Sequence, residues 1–253
     1  MRRSLVGAAL GALCLAWPAG VAAAEAPSSG RVVVVAPDGS GAYTEIQAAI
    51  DNALPGDAIL IKAGSYREDV VVHSKNRLRL VGESRDKVSI LGLKRVGALR
   101  VGKWPYGASE IEIRDLTISQ NGGLAVGIFN GTRILLSNIR VQGLCYIQQA
   151  TGVRIEHSLL GGSETTGVSF SDAQGELVGN RISENDYGVT VAGKSEVRIE
   201  GNTIVNNLYD AVVFEPGSKG IVVGNTFVKN GRNISVREGA HAEDAGNFGP
   251  FVP

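Results

Sequence analysis

Six short apolar segments recur at a nearly constant interval between residues 111 and 227. Their last residues stand 23, 19, 22, 22 and 23 positions apart, and another apolar residue stands five positions before each of them. The last residues are Ile118, Val141, Leu160, Ile182, Ile204 and Phe227, and the earlier ones are Ile113, Leu136, Ile155, Leu177, Ile199 and Val222. A period near 22 built on β-branched segments predicts a solenoid of stacked coils.

A second apolar column follows each repeat by seven or eight residues, so every coil is expected to carry more than one strand. Alternation along these strands places one set of side chains in the core and the next set outside. The inward set is Val168, Val189, Val212 and Ile234 with Phe170, Val191, Phe214 and Val236, and the outward set is Ser169, Thr190, Val213 and Ser235. The predicted fold is all-β, a parallel β-helix of about eight coils with about 22 residues per coil.

Asparagines occupy two fixed positions of this repeat. Asn180, Asn202 and Asn225 share one position, and Asn185, Asn207 and Asn230 share another, which Asn121 and Ser163 join. One interpretation is a sugar-binding track of aligned amides. The other is an internal ladder in which each amide bonds its neighbours at the bends between strands. The ladder is favoured because Asn tolerates the backbone angles that such bends require.

The first 24 residues have the pattern of a secretory signal peptide. Arg2 and Arg3 form a basic start, residues 5–17 form an apolar core too short for a permanent bilayer anchor, and residues 22–24 supply small residues for cleavage. We therefore expect residues 1–24 to be a signal peptide and residues 25–253 to form a single domain. This mature chain is expected to be secreted or periplasmic, with no membrane span after signal removal.

The charge balance limits the kinds of partner that the chain is expected to bind, and the cysteine content limits the covalent bonds that could stabilise its fold. Removing Arg2 and Arg3 from 25 basic residues leaves 23 against 25 acidic ones, with no basic block. This balance argues against a nucleic-acid partner. Only Cys145 remains after cleavage, so no intramolecular disulfide forms in the mature chain. The oligomeric state has no signal in the sequence.

The N-terminal part resembles the pectin methylesterases. The resemblance rests on VVAPDGSGAYTEIQAAID (34–51), ILIKAGSYRED (59–69) and LRLVGESRDKVSILG (78–92), and it covers roughly residues 32–92. It implies a right-handed parallel β-helix, in agreement with the repeat. The coils that follow resemble more general β-helix repeats of carbohydrate-binding and sugar-hydrolysing proteins.

A short helix is expected within the first of these segments. Thr44 and Gln47 have the spacing of a capping box, and Ile46, Ala49 and Ile50 fall on one helical face. We expect this helix to cap the N-terminal end of the solenoid, because an open end would expose the apolar interior.

The motifs that carry esterase chemistry in that family are missing. The esterase mechanism needs a nucleophilic Asp, a second Asp as acid and base, a Gln for the oxyanion and an Arg that holds the nucleophile. Leu124 stands where the resemblance places the Gln, and Gly167 stands where it places the nucleophile. The Tyr-Gln-Asp portion and the Arg-Pro-Trp motif have no counterpart. The sequence therefore predicts no pectin methylesterase activity. No carboxylate cluster of a calcium site occurs, and neither a metal nor another cofactor is expected.

A modest group of outward residues remains as a candidate site. Asn185-Asp186-Tyr187 and Leu208-Tyr209-Asp210 precede equivalent strands, so Tyr187 is expected beside Asp210, and Asp186 beside Tyr209. Aromatic rings with carboxylates suit a sugar, because the ring stacks while the hydroxyl groups take hydrogen bonds. Asp186 and Asp210 are the candidate catalytic residues, and the candidate substrate-binding residues are Tyr146, Gln148, Tyr187, Tyr209, Glu215 and Arg237.

Three functions stay open at this point. The first is an exported β-helix protein that interacts with an extracellular polysaccharide, pectin-like or another acidic glycan. The second is a carbohydrate-active enzyme, a lyase or hydrolase that uses the outward carboxylates. The third is a structural solenoid whose outward residues are ordinary solvated turns. A fold of this kind does not decide among them.

Overall fold

The protein is described by a computed structural model over residues 30–93, 97–103 and 105–249. The predicted signal peptide and the domain boundary at residue 25 lie outside these described residues and stay predictions. Within the described ranges, no helix combines the length and the apolar character needed to cross a membrane.

The described chain winds into stacked coils of parallel strands with one short helix, α1 (Ile46–Asp51). In chain order the strands are β1 (Val32–Val35), β2 (Ala58–Ile61), β3 (Gly64–Tyr66), β4 (Val70–Val72), β5 (Asn76–Gly82), β6 (Val88–Leu91), β7 (Leu99–Val101), β8 (Ser109–Arg114), β9 (Thr117–Phe129), β10 (Thr132–Ser137), β11 (Arg140–Gln148), β12 (Thr151–Glu156), β13 (Leu159–Gly161), β14 (Thr166–Ser171), β15 (Gln174–Val178), β16 (Arg181–Ser183), β17 (Tyr187–Ala192), β18 (Glu196–Glu200), β19 (Thr203–Val205), β20 (Asp210–Phe214), β21 (Lys219–Val223), β22 (Thr226–Val228), β23 (Arg232–Val236) and β24 (His241–Ala245).

The strands form three faces of the solenoid. The first face is a ten-stranded sheet in the order β1, β2, β5, β8, β10, β12, β15, β18, β21 and β24, and we number coils 1 to 10 by these strands. The other fourteen strands form one sheet with two rows, which β9 and β11 join because they run through both. The second face is the row of β3, β6, β13, β16, β19 and β22, and the third face is the row of β4, β7, β14, β17, β20 and β23.

The strand register confirms both apolar columns of the repeat. Every predicted neighbour is a pairing partner in the next coil, from Ile118 with Val141 to Ile204 with Phe227. The column of Ile113 and Ile199 and the column that begins at Val168 pair in the same way. These residues fill one continuous core that runs the length of the solenoid.

Two residues of the second column depart from the predicted alternation. Val236 occupies an inward position but is 47% exposed. It lies in β23, and β23 has a paired strand on one side only, so nothing in the described sheet covers it from the next coil. Val213 occupies an outward position and is nevertheless buried between Thr190 and Ser235 of the neighbouring strands.

The number of coils is ten, not about eight. Coils 6 to 9 keep the predicted period, since Val153, Gly175, Val197 and Gly220 are spaced by 22, 22 and 23 residues. The earlier coils vary more: Ala58 pairs with Arg79 after 21 residues, and Leu78 pairs with Ile111 after 33. Loops of unequal length on a constant strand geometry hide these coils from a search for a fixed period.

The aligned asparagines form internal ladders, and the sugar-track interpretation of them is wrong. Nδ2 of Asn180 donates to Oδ1 of Asn202 at 3.0 Å, and Nδ2 of Asn202 donates to Oδ1 of Asn225 at 2.9 Å. Asn185, Asn207 and Asn230 repeat this pattern at the next corner, with distances of 3.0 and 2.9 Å. All six are buried, and their amides are engaged by one another and by the backbone at the bends.

The short helix exists, but the predicted capping box does not form. No side chain of the helix start caps it; instead the two carboxylate oxygens of Glu68 accept hydrogen bonds from the N–H groups of Ile46 and Gln47, at 2.9 Å each. The predicted apolar face is correct, since Ile46, Ala49 and Ile50 are buried against coils 1 and 2. The six-residue helix does not clearly support the predicted role of a cap over the solenoid end.

Left-handed residues mark the corners between faces. His157 has a φ of 50°, and Gly201 and Gly224, at the same corner, have φ values of 62° and 63°. His157 therefore lies at a coil bend, in the backbone conformation that glycine adopts there in later coils. At the next corner Glu184, Asn206 and Lys229 are left-handed, and each stands directly before a ladder asparagine.

Candidate functional site

The corner between the second and third faces positions the predicted aromatic residues. In coil 7 Asn185 is buried in its ladder, and the chain then leaves the corner through Asp186 and Tyr187. In coil 8 Asn207 is likewise buried in its ladder, and the chain then leaves the corner through Leu208 and Tyr209. The backbone N–H of Tyr209 donates to the carbonyl of Asp186 at 2.8 Å, so the predicted pairing of these two residues is confirmed.

Tyr187 and Tyr209 form a stacked pair on the outside of this corner. Their ring centroids lie 5.1 Å apart at an interplanar angle of 34°. Tyr209 is 48% exposed, and the neighbouring Leu208 is 64% exposed. We call these three residues the tyrosine corner. Its open aromatic and apolar surface has the character of a platform for the face of a sugar ring.

The two candidate carboxylates flank the pair on opposite sides. Register places Asp210 beside Tyr187, because Val189 pairs with Val212 two residues further along each strand. Asp186 is half-buried, whereas Asp210 is only 8% exposed. Two carboxylates on adjacent coils have the composition of a glycosidase pair. The burial of Asp210, however, leaves little of its side chain available to a bound chain.

A shallow groove runs across the ladder corner next to the pair. Its volume is about 780 Å³. Acidic side chains dominate its charged groups, with Glu164, Glu184 and Asp186 against Lys229. Among the described residues, no three His, Cys, Asp or Glu side chains converge in a way that could hold a metal ion.

The remaining predicted site residues share the third face but do not join this corner. Tyr146 lies in coil 5, two coils before Tyr187, and pairs with Ser169 of the coil between them. Gln148 is two residues further along the same strand. Glu215 and Arg237 form an ion pair of 3.2 Å at the opposite end of the third-face strands. The predicted residues therefore line one face and do not close into one pocket.

Two functional candidates escaped the sequence analysis. The guanidinium carbon of Arg100 lies 4.9 Å from the ring centroid of Phe129, and the Phe129 ring meets Tyr146 edge to face at 6.0 Å. Register places Arg100 and Tyr146 on the same outward column, through Gly127 of the coil between them. The irregular length of coil 3 hid this alignment, because no fixed period leads from Arg100 to Tyr146.

The positions that carry chemistry in pectin methylesterases offer none here. Leu124 is half-buried in β9, and a Cβ atom at Gly167 would lie 2.6 Å from Nδ2 of Asn185 and 2.9 Å from the carbonyl oxygen of Gly188. No side chain fits at Gly167 without displacing the ladder. Burial raises the pKa of Cys145 to about 12, which keeps this thiol protonated and unreactive.

Comparisons with known proteins agree with this architecture. The model of the family described as "right handed beta helix region" matches residues 104–248. A stretch of 103 residues is 35% identical to an Arabidopsis thaliana protein described as a "probable pectinesterase/pectinesterase inhibitor 6". This stretch is 38% of the present chain and 17% of that relative, so the chain spans about a sixth of the curated relative that it matches.

Three solved structures illustrate the range of proteins with this fold. Pectin methylesterase from carrot is 17% identical with a TM-score of 0.61, over 89% of this chain and 85% of that one. The pectate lyase Pel9A is 14% identical with a TM-score of 0.58, over 88% and 79%. PfbA, a surface adhesin of Streptococcus pneumoniae, is 16% identical with a TM-score of 0.57, over 81% and 62%. At these identities the likeness concerns the fold alone.

Proposed function

Because the chain belongs to the family of right-handed β-helix proteins, we propose that it is an exported protein that binds an extracellular polysaccharide at the tyrosine corner, without pectin methylesterase activity. The resemblance of the fold to pectin-acting enzymes is consistent with a polysaccharide ligand. The observation that carries the proposal is the stacked pair of the half-buried Tyr187 and the exposed Tyr209. Rigid aromatic side chains supply contact area at low entropic cost.

The local chemistry favours binding over catalysis. Gly167 has no side chain to attack an ester, and Leu124 has no group to donate to an oxyanion. Losing one oxyanion donor alone slows such reactions by about 10² to 10³. A binding role is compatible with this fold, since one of the similar structures is described as a surface adhesin.

A second candidate function is glycan cleavage by Asp186 and Asp210 as a lyase or hydrolase. It rests on the two carboxylates that flank the platform on adjacent coils. The near-complete burial of Asp210 speaks against it. The two candidates make different predictions for the same substitution, which the experiment uses.

The proposal is tested by calorimetry of the mature protein against a panel of neutral and acidic plant polysaccharides. The double substitution Tyr187→Ala and Tyr209→Ala should weaken binding more than tenfold, because each ring is expected to contribute more than about 1 kcal/mol. The melting temperature should stay nearly unchanged, since both rings lie outside the core. Tyr106→Ala, at a tyrosine that is 62% exposed and away from the corner, is the matched control and should bind like the parent.

Asp210→Asn separates binding from cleavage. In a binding protein it should change the affinity only slightly, and no product should form with either variant. In an enzyme it should abolish turnover and spare binding, because an amide keeps the shape but cannot act as acid or base. Unchanged affinity in the double tyrosine variant would overturn the proposed site.

A further inference from the structure

A second feature of the third face points to the chemistry of the ligand. The guanidinium group of Arg100 lies over the Phe129 ring, and its buried Nε has no hydrogen-bond partner among the described residues. No ion pair of Arg100 with an acidic residue occurs in the part of the chain that the structure describes. The Phe129 ring holds this guanidinium group, and the absence of an acidic partner among the described residues leaves it available to an external anion.

The ring contacts extend this site across three coils. Tyr146 meets Phe129 edge to face, and Gln148 pairs with Phe129 on the neighbouring strand. Phe129 lies close to the backbone at Gly127, where a Cβ atom would be only 2.5 Å from the ring. The absence of a side chain at Gly127 therefore allows the Phe129 ring to pack against the sheet. We call Arg100, Phe129, Tyr146 and Gln148 the arginine platform.

An uncharged strip connects the arginine platform to the tyrosine corner. The outward column continues from Tyr146 through Ser169 to Thr190, whose hydroxyl group donates to that of Ser169 at 3.0 Å. Thr190 lies three residues beyond Tyr187 on the same strand. From Arg100 to Thr190 the column crosses four coil steps, or roughly 20 Å at the spacing of parallel strands. This length corresponds to several sugar units of an extended chain.

The two ends of the strip differ in charge. Arg100 supplies an unpaired cation at one end. At the other end Asp186 and Asp210 flank the tyrosines, and Glu164 and Glu184 line the adjoining groove. Two cations, Lys229 in the groove and Arg232 beside Asp210 on the next strand, leave this end with an acidic excess of two. A carboxylate is attracted to the first end and repelled from the second. A chain that carries a carboxylate on every sugar would place several of them against the acidic end.

We propose that the arginine platform is a second subsite, which takes the carboxylate of one acidic sugar in a polysaccharide whose uronate residues are separated by neutral sugars. This inference rests on the proposed function, because the neutral part of the same chain occupies the tyrosine corner. The guanidinium group binds the carboxylate through paired hydrogen bonds, and Tyr146 contacts the adjoining ring. The hydroxyl groups of Ser169 and Thr190 contact the intervening sugars.

Calorimetry with three polymers tests the inference. The probes are an alternating rhamnose and galacturonate backbone, polygalacturonate and a neutral galactan. The alternating polymer should bind most tightly, and its affinity should fall as salt is added. Arg100→Gln should weaken this binding about tenfold or more and remove most of the salt dependence, because a charged hydrogen-bonded contact is lost. Binding of the neutral galactan should not change.

Matched variants separate this subsite from general charge and from misfolding. Arg181→Gln removes the same charge at an exposed second-face position and should bind like the parent. Arg100→Lys should keep part of the salt dependence but lose affinity, since lysine cannot make the paired contact. Each variant is compared only at an unchanged melting temperature, and Tyr146→Ala tests the same subsite if Arg100→Gln does not fold.

The outcomes distinguish the two proposals. Equal affinity of the parent and the Arg100→Gln variant for the alternating polymer would overturn the second subsite, while the tyrosine variants would still test the first. Polygalacturonate that binds as tightly as the alternating polymer would overturn the requirement for separated uronates. If the parent binds none of the polymers, the proposed function fails and this inference fails with it.

Discussion

The bends between strands are stabilised differently in the first three coils and in coils 6 to 9. In the N-terminal region, residues 30–93, the bends are held by single contacts such as the ion pair between Arg31 and Asp57 at 2.6 Å and the carboxylate of Glu68 at the start of the helix. In the C-terminal region, residues 151–249, one contact is repeated from coil to coil by the ladder asparagines. A constant coil length permits repetition, because each amide then meets its equivalent in the next coil.

This contrast explains where the sequence resembles other proteins. Single contacts require particular residues at particular places, so the N-terminal region keeps a recognisable likeness to pectin methylesterases. Repeated contacts require only a period, so the C-terminal region matches a general β-helix model over residues 104–248. The tyrosine corner lies in the regular region, where the ladder holds the backbone beneath the outward residues.

The largest expected effect is a loss of stability, and it tests the apolar core that the two regions share. Ile199→Asp in the C-terminal region and Leu80→Asp in the N-terminal region each place a charge in the same buried column. Both should destabilise the protein by several kcal/mol, because a carboxylate is left without a partner among apolar groups. Denaturant unfolding measures the loss. If Ile199→Asp leaves the melting temperature unchanged, the inferred register is wrong.

A milder pair serves if the aspartate variants do not fold. Ile199→Ala and Leu80→Ala should each cost about 2–5 kcal/mol. Clearly unequal losses at the two positions would show that the core does not support both regions alike.

The next largest effect is expected in the C-terminal region, because it depends on the ladder asparagines. Asn202→Ala should lower the free energy of unfolding by more than about 2 kcal/mol, because the N–H of Asn180 and the carbonyl of Leu177 lose their partner and each orphaned group costs about 1–3 kcal/mol. Asn206→Gly is the matched control in the same coil: this residue is exposed and left-handed, so glycine should be tolerated. Hydrogen exchange should report faster opening of coils 7 to 9 in the Ala variant only. Equal behaviour of the two variants would contradict a stabilising ladder.

The smallest effect belongs to the N-terminal region and depends on pH. The hydrogen bond from Arg31 to the buried Asp57 holds the pKa of this carboxyl below its ordinary value. The ionised pair therefore stabilises the fold above about pH 4, the range of an unfolded Asp, and this contribution is lost as the pH falls through the lower folded pKa. Asp57→Asn should cost about 1–3 kcal/mol at pH 7 and less below pH 4. A difference from the parent that is independent of pH would argue that the charge of Asp57 is unimportant.

The fold was largely predictable because the apolar columns, the alternation and the ladder asparagines all follow one period. The two additional coils could not be predicted, because the loops of the early coils differ in length. The capping of the helix start could not be predicted either, because it depends on Glu68, which is 22 residues away from Ile46 in the sequence. The pairing of Asp186 with Tyr209 followed from register. The stacking of Tyr187 on Tyr209, the burial of Asp210 and the position of Arg100 over Phe129 depend on side-chain packing between coils, which the period does not specify.

The central claim is that this scaffold, so similar to that of pectin methylesterases, binds a polysaccharide and has no esterase chemistry. The most direct measurement is methanol release from methyl-esterified pectin by the purified protein, followed over hours beside a heat-killed control. We expect the two samples to release the same background, because Gly167 offers no nucleophile and no space for one. Methanol above the control that grows with protein concentration would contradict the account.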